Sequence, residues 1–105
     1  MASEVQGYVV LTGFAEREGS QFVSHCRELG TSSCGDTADE ALESLGDAIG
    51  VHINALIETG ELHRVLRERN IRIDLQPCHD ELSVRVLPGK IFTTYQQLVP
   101  VAVPV

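Results

Sequence analysis

The sequence has no apolar run close to the ~20 residues that a membrane-spanning helix requires. Its N-terminus has neither the basic segment nor the apolar segment of a secretory signal. The three cysteines include no CxxC pair, and an odd number without a signal is typical of reduced thiols. These absences argue against a membrane protein and against a disulfide-stapled one, and they predict a cytoplasmic location.

Positive charge is scarce, with 8 basic residues against 15 acidic ones and a formal net charge of −7. Residues 28–63 contain no Lys or Arg at all. The carboxylates in that stretch are Glu28, Asp36, Asp39, Glu40, Glu43, Asp47, Glu58 and Glu61. Because so acidic a chain repels phosphates, we expect no direct binding to nucleic acid. A solvated surface is the ordinary explanation for such a run, and the alternative is a surface that covers a basic partner protein.

The chain does contain a pattern of short strands and helices, and its 105 residues suffice for one domain with one core. Runs of β-branched, aromatic or alternating apolar residues predict strands at 7–14, 21–26, 71–75 and 82–86. A short third strand or extended segment is expected at 29–35, and a second helix at 61–70. Polar turns are expected at 16–20 and at Pro88-Gly89.

The C-terminal residues 97–105 are apolar and include Pro100 and Pro104. Proline has no N–H to donate to a neighbouring strand, which excludes it from the middle of a sheet. We therefore expect this tail to lie at a sheet edge or against another chain, docked rather than free in water.

The strongest prediction is a long helix from Thr37 to Thr59. Thr37 and Glu40 form a capping box, in which the Thr oxygen accepts from the N–H three residues on and the Glu reaches back to the cap. Apolar residues recur at steps of three and four, while Glu40, Glu43, Asp47 and Glu58 follow the opposite face. Gly60 then provides a left-handed C-terminal residue. Gly46 and Gly50 lie inside the predicted helix, where glycine is unfavourable. Their presence indicates that a strand or another subunit approaches the helix closely.

Catalytic and metal-binding interpretations find little support. His25, Cys26, Cys34, Cys78 and His79 supply ligand types for zinc, but not the paired spacing of zinc sites. Cys26 with His25, or Cys78 with His79 and Asp80, supply the residue types of a nucleophile and its base. Neighbours in sequence rarely face each other, so a triad is not expected. His52 is expected to pack on the helix and His63 to be exposed. We predict no catalytic residues, no metal, no cofactor and no enzyme activity.

The β-β-β-α order is similar to the front half of a ribonuclease H-like fold. Nucleases of that fold need carboxylates on their strands to hold a divalent metal ion. The first two predicted strands, 7–14 and 21–26, contain none. A nuclease is therefore not expected.

The segment from Cys26 to Leu42 resembles the core of the HicB-like antitoxins, whose pattern has a "C-P-E-L" opening, a small turn and "G-D-T-x-E-E-A-L" at the start of a long helix. Cys26, Glu28 and Leu29 match the opening, with Arg27 in place of the usual proline. Gly35, Asp36, Thr37, Glu40, Ala41 and Leu42 match the helix start. The similarity covers roughly residues 7–70, including the Thr59-Gly60-Glu61-Leu62 helix end.

The resemblance implies a partial ribonuclease H-like fold without nuclease activity, which neutralises a small basic HicA-type mRNA-cleaving toxin. It also implies a dimer or tetramer. Many members carry a C-terminal DNA-binding module, whereas this sequence continues after Asn70 with strands and turns.

We therefore expect one α+β domain over residues 1–105, a small antiparallel sheet packed by one long helix. Its core lies at about 7–70, and extra C-terminal strands and an extended tail lie at 71–105. The expected function is that of a HicB-like antitoxin or orphan relative, with Glu40, Glu43, Asp47 and Glu58 as the partner-binding residues. A small regulatory or ligand-binding domain without a toxin partner is the alternative. A hydrolase using Cys26 or Cys78 is the third.

Overall fold

The computed structural model describes residues 2–74, 85–87 and 90–104, which form a small α+β domain with an antiparallel sheet packed against a helix. The strands are β1 Ala2–Glu18, β2 Gln21–Cys26, β3 Ser32–Gly35, β4 Arg72–Asp74, β5 Arg85–Leu87 and β6 Lys90–Pro104. The helices are α1 Ala38–Glu58 and α2 Leu62–Glu68. The predicted Pro88-Gly89 turn and the residues Cys78, His79 and Asp80 lie outside the described residues.

Strand β1 is the centre of the sheet, whose strand order is β3-β2-β1-β6-β5. It extends beyond the predicted 7–14 at both ends because β6 pairs with it from Ala2–Pro104 to Glu16–Lys90. That partner is distant in sequence, and the local pattern carries no sign of it. Val9, Leu11 and Ala15 alternate along β1 and are buried on the face that packs against α1.

The opposite edge of β1 is shared by two strands. β2 pairs with residues 13–18 of β1, and the short strand β4 pairs with residues 8–10. The hairpin between β1 and β2 closes at Gly19-Ser20, a tighter turn than the predicted 16–20. Gly19 has a φ of +64°, which suits the first loop position of a type II′ turn.

Helix α1 agrees with its prediction, with Thr37 as N-cap and Thr59 as C-cap. Its buried side chains are Ala41, Leu45, Ile49 and Ile53, which recur every fourth residue and face the sheet. Gly60 follows with a φ of +73°, the left-handed conformation that ends the helix. Helix α2 is shorter than the predicted 61–70 and buries Leu62 and Leu66.

The prediction that the C-terminal tail is docked at a sheet edge is confirmed for its described residues, 97–104. β6 begins between β1 and β5, which pairs with its residues 90–92. Past Phe92, β1 is the only partner of β6 in the part of the chain that the structure describes, so Pro100 and Pro104 lie where one edge is free of such pairing. This placement suits proline, which has no N–H for a second neighbour.

Candidate partner-binding surface

The four predicted partner-binding residues, Glu40, Glu43, Asp47 and Glu58, are all exposed on α1. They lie on the outer face of the helix, away from the residues that α1 buries against the sheet. Their spacing in multiples of three to four residues places them in one row along the helix. The prediction that these four side chains lie on the exposed face of α1 is confirmed.

Three of the four residues share an open groove of about 440 Å³ between the start of α1 and the edge of the sheet. The groove is lined by Gln21, Cys34, Gly35, Asp36, Glu40, Glu43, Ser44 and Asp47. Asp36 thus adds a fourth carboxylate that was predicted only as part of the structural signature. Glu58 is not part of the groove, because it lies about 16 Å further along the helix axis than Asp47.

No Lys or Arg in the described part of the chain forms a salt bridge with the carboxylates of this groove. Salt bridges between described residues join Arg64 to Glu61 and Glu68, Arg72 to Asp74, and Lys90 to Glu16. Like charges three or four residues apart on a helix repel by about 0.2–0.5 kcal/mol per pair. A basic partner would relieve that repulsion as well as supply attraction.

Glu40 also has a structural role at the start of α1. The Glu40 N–H donates to Thr37 Oγ1 at 3.1 Å, as the capping box predicts. The carboxylate, however, accepts from the Asp36 N–H at 3.0 Å rather than from the N–H of Thr37. The side chain thus reaches one residue further back than the capping box predicts, to Asp36 in an exposed bend. A substitution at Glu40 would therefore change the helix start together with the surface charge.

The other signature residues serve packing. A Cβ on Gly35 would lie 2.6 Å from the Ala41 nitrogen, so only glycine fits where β3 meets α1. Ala41 is fully buried, and its carbonyl accepts from the buried Ser24 hydroxyl at 2.7 Å. The Leu42 carbonyl accepts from Tyr95. Sequence patterns did not reveal Ser24 or Tyr95, since each reaches α1 from a distant strand.

The cysteines and histidines that the structure describes do not converge. Cys26 is buried, which raises the pKa of its thiol, and its Sγ lies 3.9 Å from Glu28 Oε1. Cys34 is exposed. His25 packs its ring 5.3 Å from that of Phe14, measured between centroids. Among the described residues, no group of three or more His, Cys, Asp or Glu side chains could hold a metal ion.

The two other histidines of the described residues lie apart from these groups. His52 is half-buried on α1 and forms a hydrogen bond between Nδ1 and Thr31 Oγ1 at 2.8 Å. His63 is exposed, as predicted.

A second cleft, of about 400 Å³, lies on the side of the sheet away from α1. Its lining is Val10, Thr12, Glu28, Asn70, Arg72, Asp74, Thr94 and Gln96. Glu28 Oε1 accepts from the Thr12 N–H at 2.8 Å, at the point on β1 between its pairings with β2 and β4. The sequence did not predict this cleft because its walls come from four separate parts of the chain.

Comparison of the chain with protein-family models, curated protein sequences and solved structures gives no match. Neither of the helices in the described part of the chain is long and apolar enough to cross a bilayer.

Proposed function

We propose that the protein is a HicB-like antitoxin, or an orphan relative of that family, which neutralises a small basic HicA-type mRNA-cleaving toxin by binding it. The observation that supports this proposal best is the groove in which Asp36, Glu40, Glu43 and Asp47 meet without a Lys or Arg partner among the described residues. An RNA-cleaving toxin needs a positive surface for its phosphate-rich substrate. A surface of carboxylates on the antitoxin competes with the RNA phosphates for the Lys and Arg side chains of the toxin.

In this proposal the protein inhibits the toxin by forming a stoichiometric complex that covers its basic surface, and not by catalysis. Complementary charge accelerates the encounter between the two proteins and fixes their orientation, more than it adds affinity. The groove is open, so a rigid partner can reach its carboxylates without rearrangement of α1. We expect the association rate to fall steeply with added salt, while the dissociation rate changes less.

We also propose the finer fold assignment, a partial ribonuclease H-like domain. The support for it is the neighbour order β3-β2-β1 with α1 following β3 and packing on one face of these strands. In this proposal β4, β5 and β6 are additions to that β-β-β-α unit. The three strands of this unit support α1, which packs against them.

Charge reversal on α1 tests the antitoxin proposal. The variant Glu43→Lys/Asp47→Lys should weaken binding of a co-expressed, genomically adjacent basic protein by at least about tenfold and should impair its neutralisation. Both side chains are exposed and outside the capping box, so the fold should persist. Surface plasmon resonance at two salt concentrations would measure the effect.

A matched control is available on helix α2. Glu61→Lys/Glu68→Lys changes the net charge by the same amount at two exposed positions beyond the far end of α1 and outside the groove lining, and it removes only surface ion pairs to Arg64, which contribute little to stability. This control should retain binding within about threefold, because long-range charge is screened beyond about 10 Å at 0.1 M salt. Equal binding by wild type and by the α1 variant would contradict the electrostatic part of the proposal.

We further propose a homodimer or homotetramer, as the family resemblance implies. Multi-angle light scattering on the purified chain distinguishes these states from a monomer. A monomer at micromolar concentration would contradict this part alone.

The alternative function, a small-ligand or regulatory binding domain, is favoured by the second cleft. Its lining combines Glu28 and Asp74 carboxylates with the hydroxyls and amides of Thr12, Thr94 and Gln96, a mixture suited to a polar ligand. Absence of a basic neighbour in the genome, together with a ligand that shifts the NMR signals of these residues, would support this alternative instead.

A further inference from the structure

Val51 is the single large apolar residue that is strongly exposed in the described part of the chain, with 71% of its surface accessible. It lies on α1, a helix whose other large aliphatic side chains are buried or half-buried. Scattered exposed apolar residues are ordinary on protein surfaces. The position of this one relative to the carboxylates makes it informative.

Val51 lies in the middle of a row of exposed residues on the outer face of α1. Asp47, Val51, Asn54 and Glu58 follow each other at steps of four, three and four, which keeps them on one side of the helix. Glu40 begins the row, so it extends over about 27 Å of helix axis. Its carboxylates lie toward the two ends and its apolar residue between them.

This arrangement matches the anatomy of a protein interface, in which an apolar centre is surrounded by a polar rim. A row that is long and one side chain wide fits an elongated partner element better than a flat surface. Helix-in-groove recognition uses apolar anchors at these same helical spacings.

We propose that the outer row of α1 binds a basic amphipathic helix, whose apolar side chain covers Val51 while its Lys or Arg residues contact Asp47 and Glu58. The inference rests on the proposed function, because that helix would belong to the basic partner, and it adds the chemistry of the contacted element. A Lys or Arg of that helix then pairs with the carboxylate on each side of Val51, and Val51 supplies the part of the affinity that salt does not screen.

A second copy of this chain is a poorer occupant. Packing α1 against α1 would bring carboxylates of both copies together, and like-charge contacts cost several kcal/mol. The Arg-bearing helix α2 covers only Leu62–Glu68, about 10 Å, and therefore cannot span the row. A separate basic helix is the occupant that fits both charge and length.

Two synthetic peptides test the inference without any toxin. Both are 18-residue, Lys-rich helical peptides of equal charge, one with a Leu face and the other with Gln in place of each Leu. We expect the Leu peptide to bind about tenfold more tightly in fluorescence anisotropy, as burial of one aliphatic side chain implies. Val51→Gln should abolish this preference and leave binding of the Gln peptide unchanged.

Val51→Gln and its control variant both replace an exposed residue on a helix by Gln. Gln has a better helix propensity than Val, so Val51→Gln should fold as well as wild type. His63→Gln, at an exposed position on α2 outside the row, should keep the preference for the Leu peptide. Equal affinity of wild type for the two peptides, or a preference that survives Val51→Gln, would overturn the inference.

The same measurements separate this inference from the antitoxin proposal. Preference for the Leu peptide without neutralisation of the adjacent basic protein contradicts the antitoxin role alone. Neutralisation that Val51→Gln leaves unchanged, with no peptide preference, contradicts the amphipathic-helix contact alone.

Discussion

Tyr95 links the sheet to the long helix. Its hydroxyl donates to the Leu42 carbonyl of α1, and its ring lies against Gly13 of β1 and Gly46 of α1. A Cβ on Gly13 would overlap the Tyr95 ring, and one on Gly46 would lie 3.2 Å from it. Two glycines therefore provide the space for one aromatic ring between the two layers.

Burial raises the pKa of Tyr95 to about 12, with a further contribution from the charge of Cys26. An exposed tyrosine has a pKa of about 10, so the folded protein holds this proton more tightly than the unfolded chain does. The stabilisation is complete below pH ~10 and is lost as the pH rises through the folded value. The free energy of unfolding should therefore fall above pH ~10, and Tyr95→Phe should remove this part of the fall.

Urea unfolding at closely spaced pH values measures this effect, and absorbance at 295 nm follows the phenolate directly. Because the chain has 2 tyrosines, Tyr8→Phe serves as the control that leaves the Tyr95 transition in place. Parallel pH profiles for wild type and Tyr95→Phe would contradict the role given to burial of this hydroxyl.

Glu28 is half-buried and has a structural function. Its carboxylate accepts the Thr12 N–H at a point of β1 that neither β2 nor β4 covers. Glu28→Ala should lower the free energy of unfolding by about 1–3 kcal/mol, since it leaves that half-buried N–H without its acceptor. Glu28→Gln keeps an acceptor oxygen and should cost clearly less. Chemical denaturation compares the two, and equal losses would count against the hydrogen bond as the cause.

At the scale of the element, α1 offers an internal comparison between two glycines one turn apart. Gly50 has room for a methyl group, since the nearest atom would lie 3.9 Å from its Cβ, whereas Gly46 faces the Tyr95 ring. Gly50→Ala should therefore stabilise the protein by up to about 1 kcal/mol through helix propensity. Gly46→Ala gains the same propensity but must displace a packed ring, at a cost of roughly 1–3 kcal/mol.

Thermal melts of the two variants give a direct answer. A rise in melting temperature for Gly50→Ala and a fall for Gly46→Ala would agree with the packing described. Two equal rises would mean that the Tyr95 ring moves aside at little cost.

The same helix shows how far the sequence was informative. Its caps and buried face were predicted correctly because Thr37, Glu40, Gly60 and the apolar stripe act within a few residues of each other. The glycines in the helix indicated that another element packs closely against α1. The residue that does so at Gly46 is Tyr95, which lies about fifty positions away, so the local sequence pattern could not identify it. The sequence predicted only part of the acidic groove. The charged residues of α1 can be read from the sequence, whereas the contribution of β3 to the groove wall depends on the fold.

At the scale of the whole molecule, the sheet depends on pairing between the two ends of the described chain. β6 forms an edge-to-edge ladder with β1 from Ala2–Pro104 to Glu16–Lys90, and it supplies Val99 to the buried core. Such contacts of high sequence separation carry a large loop-closure entropy, which slows folding. The helix α1 also packs against β6, so the partner-binding surface is supported by residues far from it in sequence.

This topology predicts that the segment carrying the acidic surface cannot fold alone. A fragment of residues 1–89 retains α1 and its carboxylates but loses β6, and with it Tyr95, Val99 and one whole edge of β1. We expect no cooperative thermal transition and poor dispersion of amide NMR signals from this fragment. A fragment of residues 1–99 keeps the pairings from Gly7–Val99 to Glu16–Lys90 and should unfold cooperatively, although at a lower temperature than the full chain. If 1–89 retained a cooperative transition, β6 would be an addition to a self-sufficient domain, and the acidic surface of α1 would be independent of the C-terminal strands.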